Sequence, residues 1–212
     1  MDPNRIKRNE QLAQRVIRGL ESRNMKGYYA ATKEEALETA LGLIPEGASI
    51  SWGGSMSIAE TGLKQAILDG NYEVFNRDTA PSKEAKREIE LKAFGADWFL
   101  ASANAITEDG ILVNIDGNGN RVACLVYGPE HVLFMIGMNK VVRDVDAAIS
   151  RARNEAAPVN AARFQGDTPC CKTGCCANCL SPDTICSQFL VTRYEKHPGR
   201  YHIILVNDDL GF

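Results

Sequence analysis

No cysteine occurs in the first 123 residues of this chain, and no apolar run approaches the roughly 20 residues that a membrane-spanning helix needs. Basic charge is in short supply as well. The 24 Lys and Arg against 27 Asp and Glu leave a formal net charge of -3, which excludes the basic surface that nucleic acid demands. The opening MDPNRIKRNEQLAQRV lacks the apolar centre of a secretory signal, so a cytoplasmic protein is expected. Internal repeats, low-complexity tracts, a Walker loop and a full dinucleotide fingerprint are all missing. What remains, 44% hydrophobic and 24% charged over 212 residues, is the make-up of an ordinary globular domain.

The apolar pattern sets the fold class. Leu12, Ala13, Val16, Ile17 and Leu20 recur at helical spacing, predicting a helix from about Pro3 to Asn24 whose stripe covers the body or a second copy in a homodimer. Strand and helix then alternate: GYYAAT, KEEALETALGLI with Thr32 as N-cap and Glu35 completing a capping box, ASISWGG, SIAETGLKQAIL, YEVFNR, SKEAKREIELKAFG and ADWFLASA. Such βα units predict an α/β domain with a largely parallel sheet and helices on both faces. After residue 105, GILVNI, RVACLVYG and HVLFMIGM read as three β-rich runs, with a hairpin at DGNGN. A helix follows from Asp144 or Asp146 to about Phe164, and RYHIILVN makes a last strand. The parts are an N-terminal helix over residues 1–25, an α/β body over 26–165, and a cysteine-rich segment with the final strand over 166–212, the last two forming one domain.

Cysteine, absent at first, is then concentrated. PCCKTGCCANC holds five in eleven positions, and Cys186 follows. A reducing compartment disfavours disulfides, so a metal centre or redox thiols are the readings that stay open. Cys176-Ala177-Asn178-Cys179 is a C-x-x-C knuckle that lets two sulfurs converge on one centre. Adjacent cysteines seldom share one metal, so the ligand set reads as Cys170, Cys176, Cys179 and Cys186. A single knuckle with irregular spacing favours an iron–sulfur cluster over zinc, and zinc remains the alternative. Cys124, in an apolar run, reads as a core residue, and His197 and His202 as a turn and a strand position without a ligand role.

Two polar stretches suggest a binding site. SWGGSMSIAETG joins a strand to a helix through a glycine–serine turn; Gly53 and Gly54 let the backbone approach a ligand, and Ser55 and Ser57 supply hydroxyls. SANAITEDG follows an apolar strand, and open α/β sheets bind ligands beyond the carboxyl ends of their strands. Asn104 and Thr107 offer polar contacts there, and Glu108 a base or nucleophile if buried. Asn120, Arg121 and Lys140 end neighbouring strands and add polar and cationic groups, Arg121 as a clamp for carboxylate or phosphate. Turn formation and surface placement account equally well for each stretch taken singly.

WGGSMSIAETGL, ANAITEDGILVNIDGNGNRVA, GMNKVVRDVDAAISRAR and the tail PCCKTGCCANCLSPDTIC together resemble the LUD domain (lactate utilisation) family, in a branch with a cysteine-rich C-terminal segment. The resemblance implies a three-layer α/β fold with a Rossmann-like sheet, similar to ribose-5-phosphate isomerase and CoA transferases. It implies a place in lactate or related organic-acid oxidation beside iron–sulfur or oxidoreductase partner proteins, with a small anionic metabolite as ligand. Relatives of that fold bind phosphate or acyl groups at strand-to-helix turns and sometimes use a glutamate, which maps onto residues 53–57 and Glu108. The cysteine-rich tail is a departure from the lactate-operon members. Three readings stand: an electron-transferring subunit, a metabolite-binding or regulatory module with zinc or redox thiols, and an isomerase or acyl transferase using Glu108.

Overall fold

The computed structural model describes residues 2–164 and 166–212. The boundary expected at 165/166 touches Gln165, which like Met1 lies outside them. The chain opens with α1 (Pro3–Ser22), capped by the Asp2 carboxylate, then β1 (Lys26–Ala30), α2 (Lys33–Leu43) and β2 (Ser49–Trp52). Next come α3 (Met56–Glu60), α4 (Leu63–Asp69), β3 (Glu73–Val74), α5 (Lys83–Lys92) and β4 (Trp98–Ala101). β5 (Ala105–Thr107), β6 (Leu112–Asp116), α6 (Asn120–Val126), β7 (His131–Gly137) and β8 (Val141–Val142) follow. The last elements are α7 (Val145–Arg151), α8 (Ala157–Ala162), α9 (Pro169–Thr173), β9 (Gln188–Thr192) and β10 (Tyr201–Val206).

Among the described residues six strands form a parallel sheet in the order β1-β10-β7-β4-β2-β3. The last strand in sequence therefore lies inside the sheet, between β1 and β7. Alternate residues of each strand serve opposite faces. Phe99, Val132, Phe134, Tyr201 and Ile203 meet Ala13, Val16 and Leu20 of α1, whereas Leu100, Leu133, Met135 and Ile204 meet Ala36 and Ala40 of α2 and Leu63 and Ile67 of α4. The result is the expected three layers. A second, mixed sheet, β8-β5-β6-β9, leans on α7 through Ala105, Val113 and Ala148.

Three local expectations need correction. RVACLV is helical, not a strand. The Asp116 carboxylate accepts from the Asn118, Gly119 and Val122 backbone N–H groups, which turns DGNGN into the entry of α6 instead of a hairpin. A short apolar run does not by itself distinguish a buried helix from a strand. SIAETGLKQAIL is two helices, because Gly62 adopts a left-handed φ of 76°. QFLVT, unassigned from the sequence, is β9, which pairs antiparallel with β6 and ties the cysteine segment back to the body. Thr32 caps α2 as expected, while Glu35 reaches the Ala31 N–H at 2.8 Å. No helix among the described residues is long and apolar enough to cross a membrane.

Candidate functional site

Four parallel strands send their carboxyl ends to one cleft of about 180 Å³. The turn after β2 contributes Gly54, Ser55, Met56 and Ser57, and the turn after β4 contributes Ser102, Ala103 and Asn104. Lys140 follows β7, and Phe212 lies beyond β10. The opposite wall comes from the β6–α6 turn with Asp116, Asn118, Asn120 and Arg121, and from Arg163 and Phe164 past α8. This is the place where open parallel sheets put ligands, because side chains from successive turns converge there.

Of the residues singled out from the sequence, Gly54, Ser55, Ser57, Asn104, Asn120, Arg121 and Lys140 line this cleft. Gly54 has open space where a Cβ would project, while the Ser55 hydroxyl is engaged, accepting from the Ile58 N–H to cap α3. Gly53 stands just behind. A Cβ there would come within 2.7 Å of the Arg121 Cδ, so its missing side chain makes room for that arginine, not for a ligand.

Arg121 differs from the expected clamp. Its Nε donates to Asp116 at 3.5 Å, its Nη1 to the Ser102 carbonyl and Asn114 Oδ1 at 3.1 Å each, and its Nη2 to Asn104 Oδ1 at 3.2 Å and the Ile115 carbonyl at 2.6 Å. A guanidinium has five N–H donors, and all are spent inside the protein. Arg121 is a strut that ties the turn after β4 to the β6–α6 turn. Burial works against its charge and Asp116 supports it.

Lys140 is the chemically distinctive group. It is 2% exposed, and its Nζ donates to Ser57 Oγ at 3.0 Å and Ser102 Oγ at 3.2 Å. Among the described residues it forms no ion pair. Burial first, then the charges of Arg151 and Arg121, pull its amine down to about 7, with Glu60 opposing. Arg163 commits one N–H to Asn160 at 3.1 Å and lies beside the Phe164 and Phe212 rings. Arg77, also on the wall, pairs with Glu90 at 2.9 Å, while its buried Nε lies 3.9 Å from Asp78 and makes no hydrogen bond among the described residues. Asp116, the carboxylate on the cleft wall, is saturated by three backbone N–H groups and Arg121. Cations therefore outweigh anions on the cleft wall.

Thr107 and Glu108 stand apart from the cleft. The Glu108 carboxylate pairs with Arg15 at 2.9 Å, and Asp109 takes both the Thr107 hydroxyl and the Arg23 guanidinium. The backbone of Asp109 lies where a Cβ on Gly19 would project. The TEDG turn is thus the seat of α1, and its carboxylates anchor that helix. Ser102, Asp116, Arg77, Arg163 and Phe212 are cleft residues that the sequence reading did not select. Ser102 was available to the strand-end rule that picked Asn104. Nothing local marked Arg163.

The cysteine segment adjoins the cleft. Ile185 lines it and packs on the Gly117 turn, and Cys186 comes next in the chain. Cys186 is pushed up to about 11, chiefly by burial and then by the neighbouring thiols of Cys176, Cys170 and Cys179. These are the four cysteines named from spacing, and Cys186 feels each of the other three. The segment is braced by Arg153, which donates to Asn178 Oδ1 at 2.6 Å and lies 3.9 Å from Cys176 Sγ, and by the Thr168 hydroxyl beside Cys170 and Cys171. All seven cysteines are free, and among the described residues no three Cys, His, Asp or Glu side chains draw close enough for a single ion. A tetrahedral zinc site would bring its sulfurs to within about 3.8 Å of each other. By chemistry four cysteine sulfurs are a soft donor set that zinc or iron accepts, but the side chains as placed are not gathered round one point. Cys124 is a core residue of α6, and His202 sits at the other end of the sheet, its Nε2 2.9 Å from the Gly199 carbonyl.

Comparison with known proteins gives a family and a fold. The family model described as LUD domain matches residues 13–206. No curated protein matches the sequence. Among solved structures, a DUF162 family protein from Deinococcus radiodurans superposes with a TM-score of 0.54 at 11% identity, over 94% of this chain and 98% of that one.

Proposed function

Starting from the fact that this chain belongs to the LUD domain family, we propose that it binds a small organic anion for oxidation or reduction, beside a metal centre held by its cysteine segment. The observation carrying this reading is the shared wall: Ile185 lines the cleft, and Cys186, which follows it in the chain, feels the thiols of Cys176, Cys170 and Cys179. Arg163 and Lys140 supply positive charge for a carboxylate, and Asn118 and Asn120 add polar groups at the rim. Arg121 holds the turns in register, so the ligand meets a preformed site. Lactate or a related hydroxy or oxo acid is the ligand class, and an oxidoreductase is the partner class.

Drawn together round one centre, the four thiols would hold an iron–sulfur cluster, which when bound supplies one-electron transfer at the edge of the cleft. Glu108 has no part in this reading, since its carboxylate serves Arg15 outside the cleft. The test is metal analysis with a visible spectrum on protein purified without oxygen. Iron with sulfide, absorption that bleaches on reduction, and loss of both in Cys179→Ser are expected. Stoichiometric zinc, or no metal, would replace the electron-transfer role with a structural or thiol-sensing one.

A further inference from the structure

The surroundings of Lys140 point to more than a resting positive charge. Ser102 directs its hydroxyl proton to the Met135 carbonyl at 2.7 Å, and Ser57 directs its own to the Leu210 carbonyl at 3.3 Å. Both serines therefore meet the lysine as acceptors. They are not poised as nucleophiles that the amine would deprotonate. Two of the three N–H positions on the tetrahedral Nζ are fixed in this way. The third has no assigned partner among the described residues, and Lys140 lines the cleft.

The charged groups acting on this amine are Arg151 from α7 and Arg121 from α6, which oppose protonation, and Glu60 from α3, which favours it. The two arginines are themselves fixed. Arg151 donates to the Asn139 and Asn104 carbonyls, and Arg121 is spent as a strut. A lysine so desolvated and flanked by cations is shared between its charged and neutral forms near neutral pH, and the neutral form carries the lone pair needed to add to a carbonyl carbon.

We propose that Lys140 is a catalytic residue that forms an imine with a short-chain oxo acid seated in the cleft. This rests on the cleft being an anion site, and it adds a covalent step to that reading. The Nζ lone pair attacks the carbonyl carbon, the C=O π pair moves onto oxygen, and a nitrogen proton passes to that oxygen. Loss of water from the carbinolamine leaves the C=N bond. One amine and one carbonyl give one imine and one water, with no change in oxidation state. Arg163, with N–H groups to spare at the mouth, takes the carboxylate, and the cleft of about 180 Å³ limits the chain to a few carbons.

The test is reductive trapping on the full chain. The protein is incubated with glyoxylate, glycolaldehyde phosphate or acetaldehyde, reduced with cyanoborohydride, and mapped by peptide mass spectrometry. Selective labelling of Lys140 by glyoxylate, an order of magnitude above any other lysine and rising as pH increases through about 7, is expected. Acetaldehyde, without an anionic group, is expected to show no such selectivity. Preference for glycolaldehyde phosphate would overturn the oxo-acid assignment. Labelling spread over exposed lysines with Lys140 untouched would overturn the imine. Thermal shift with oxalate, an anion with no electrophilic aldehyde or ketone, separates the two claims. Stabilisation by oxalate without a Lys140 adduct refutes the imine and leaves the anion site standing, whereas neither result refutes both.

Discussion

Arg121 and Lys140 are two cations in one cleft with opposite roles, and hydrogen-bond bookkeeping separates them. Arg121 spends every donor on the protein, so replacing it removes a strut and leaves buried acceptors behind. Arg121→Met is expected to cost on the order of 3 kcal/mol in chemical unfolding. Gly53→Ala, which pushes on the same side chain, should lower stability in the same direction. Lys140 costs stability instead. Its folded pKa lies near 7, below the ordinary 10.5, so the unfolded chain binds the extra proton between those values and wild-type stability rises with pH across that window. Lys140→Met is therefore expected to be more stable than wild type at pH 7. The gain, about 1.4 kcal/mol for each unit of separation, shrinks towards pH 10.5. Ser57 and Ser102 keep their carbonyl acceptors in that variant, so no new orphan is created. Thermal melts of both proteins from pH 6 to 10 check the sign. From sequence, Arg121 and Lys140 were legible as cations at one site. Their division of labour was not, because it depends on which carbonyls the fold brings round each head group.

At the scale of elements, strand ends carried the prediction and short apolar runs misled it. Gly54, Ser57, Asn104 and Lys140 were found because they end strands that the alternation of β and α had already placed. RVACLV was misread because Val, Cys and Leu suit either state over six residues, and the deciding contacts come from Asp116, whose three accepted backbone N–H bonds start α6. Glu108 was overvalued for a related reason. It lies only one short strand, β5, past the cleft turn that follows β4, yet α1, remote in sequence, claims it through Arg15. Glu108→Gln should accordingly shift stability by less than about 1 kcal/mol, as exposed pairs do, and leave ligand binding unchanged. Gly19→Ala, by contrast, is expected to lift α1 from the TEDG turn at a cost of about 1–3 kcal/mol, with faster amide exchange confined to α1 and β1.

At the scale of the whole molecule, the sheet order brings distant segments to one place. β10 runs between β1 and β7, which brings Phe212 to the cleft, and β9 pairs with β6, which brings the cysteine segment, through Ile185, to its wall. Spacing alone had suggested Cys170, Cys176, Cys179 and Cys186 as a set, and in the fold Cys186 feels the other three. That the cysteine segment meets the cleft, through Ile185, was invisible in the sequence, since it follows from strand pairing across more than 70 residues. If a metal does occupy the segment, its binding must displace thiol protons, so affinity is expected to fall as pH falls, measured by chelator competition.

The central claim is that one cleft at the carboxyl ends of β2, β4, β7 and β10 holds a small organic anion. Calorimetric titration of the full chain with oxalate tests it most directly, comparing wild type with Arg163→Ala and Glu108→Gln. One site per chain, weakened about tenfold or more in Arg163→Ala and unchanged in Glu108→Gln, is the predicted result, a loss of about 1.4 kcal/mol. No binding, or binding indifferent to Arg163 and abolished by Glu108→Gln, would contradict it.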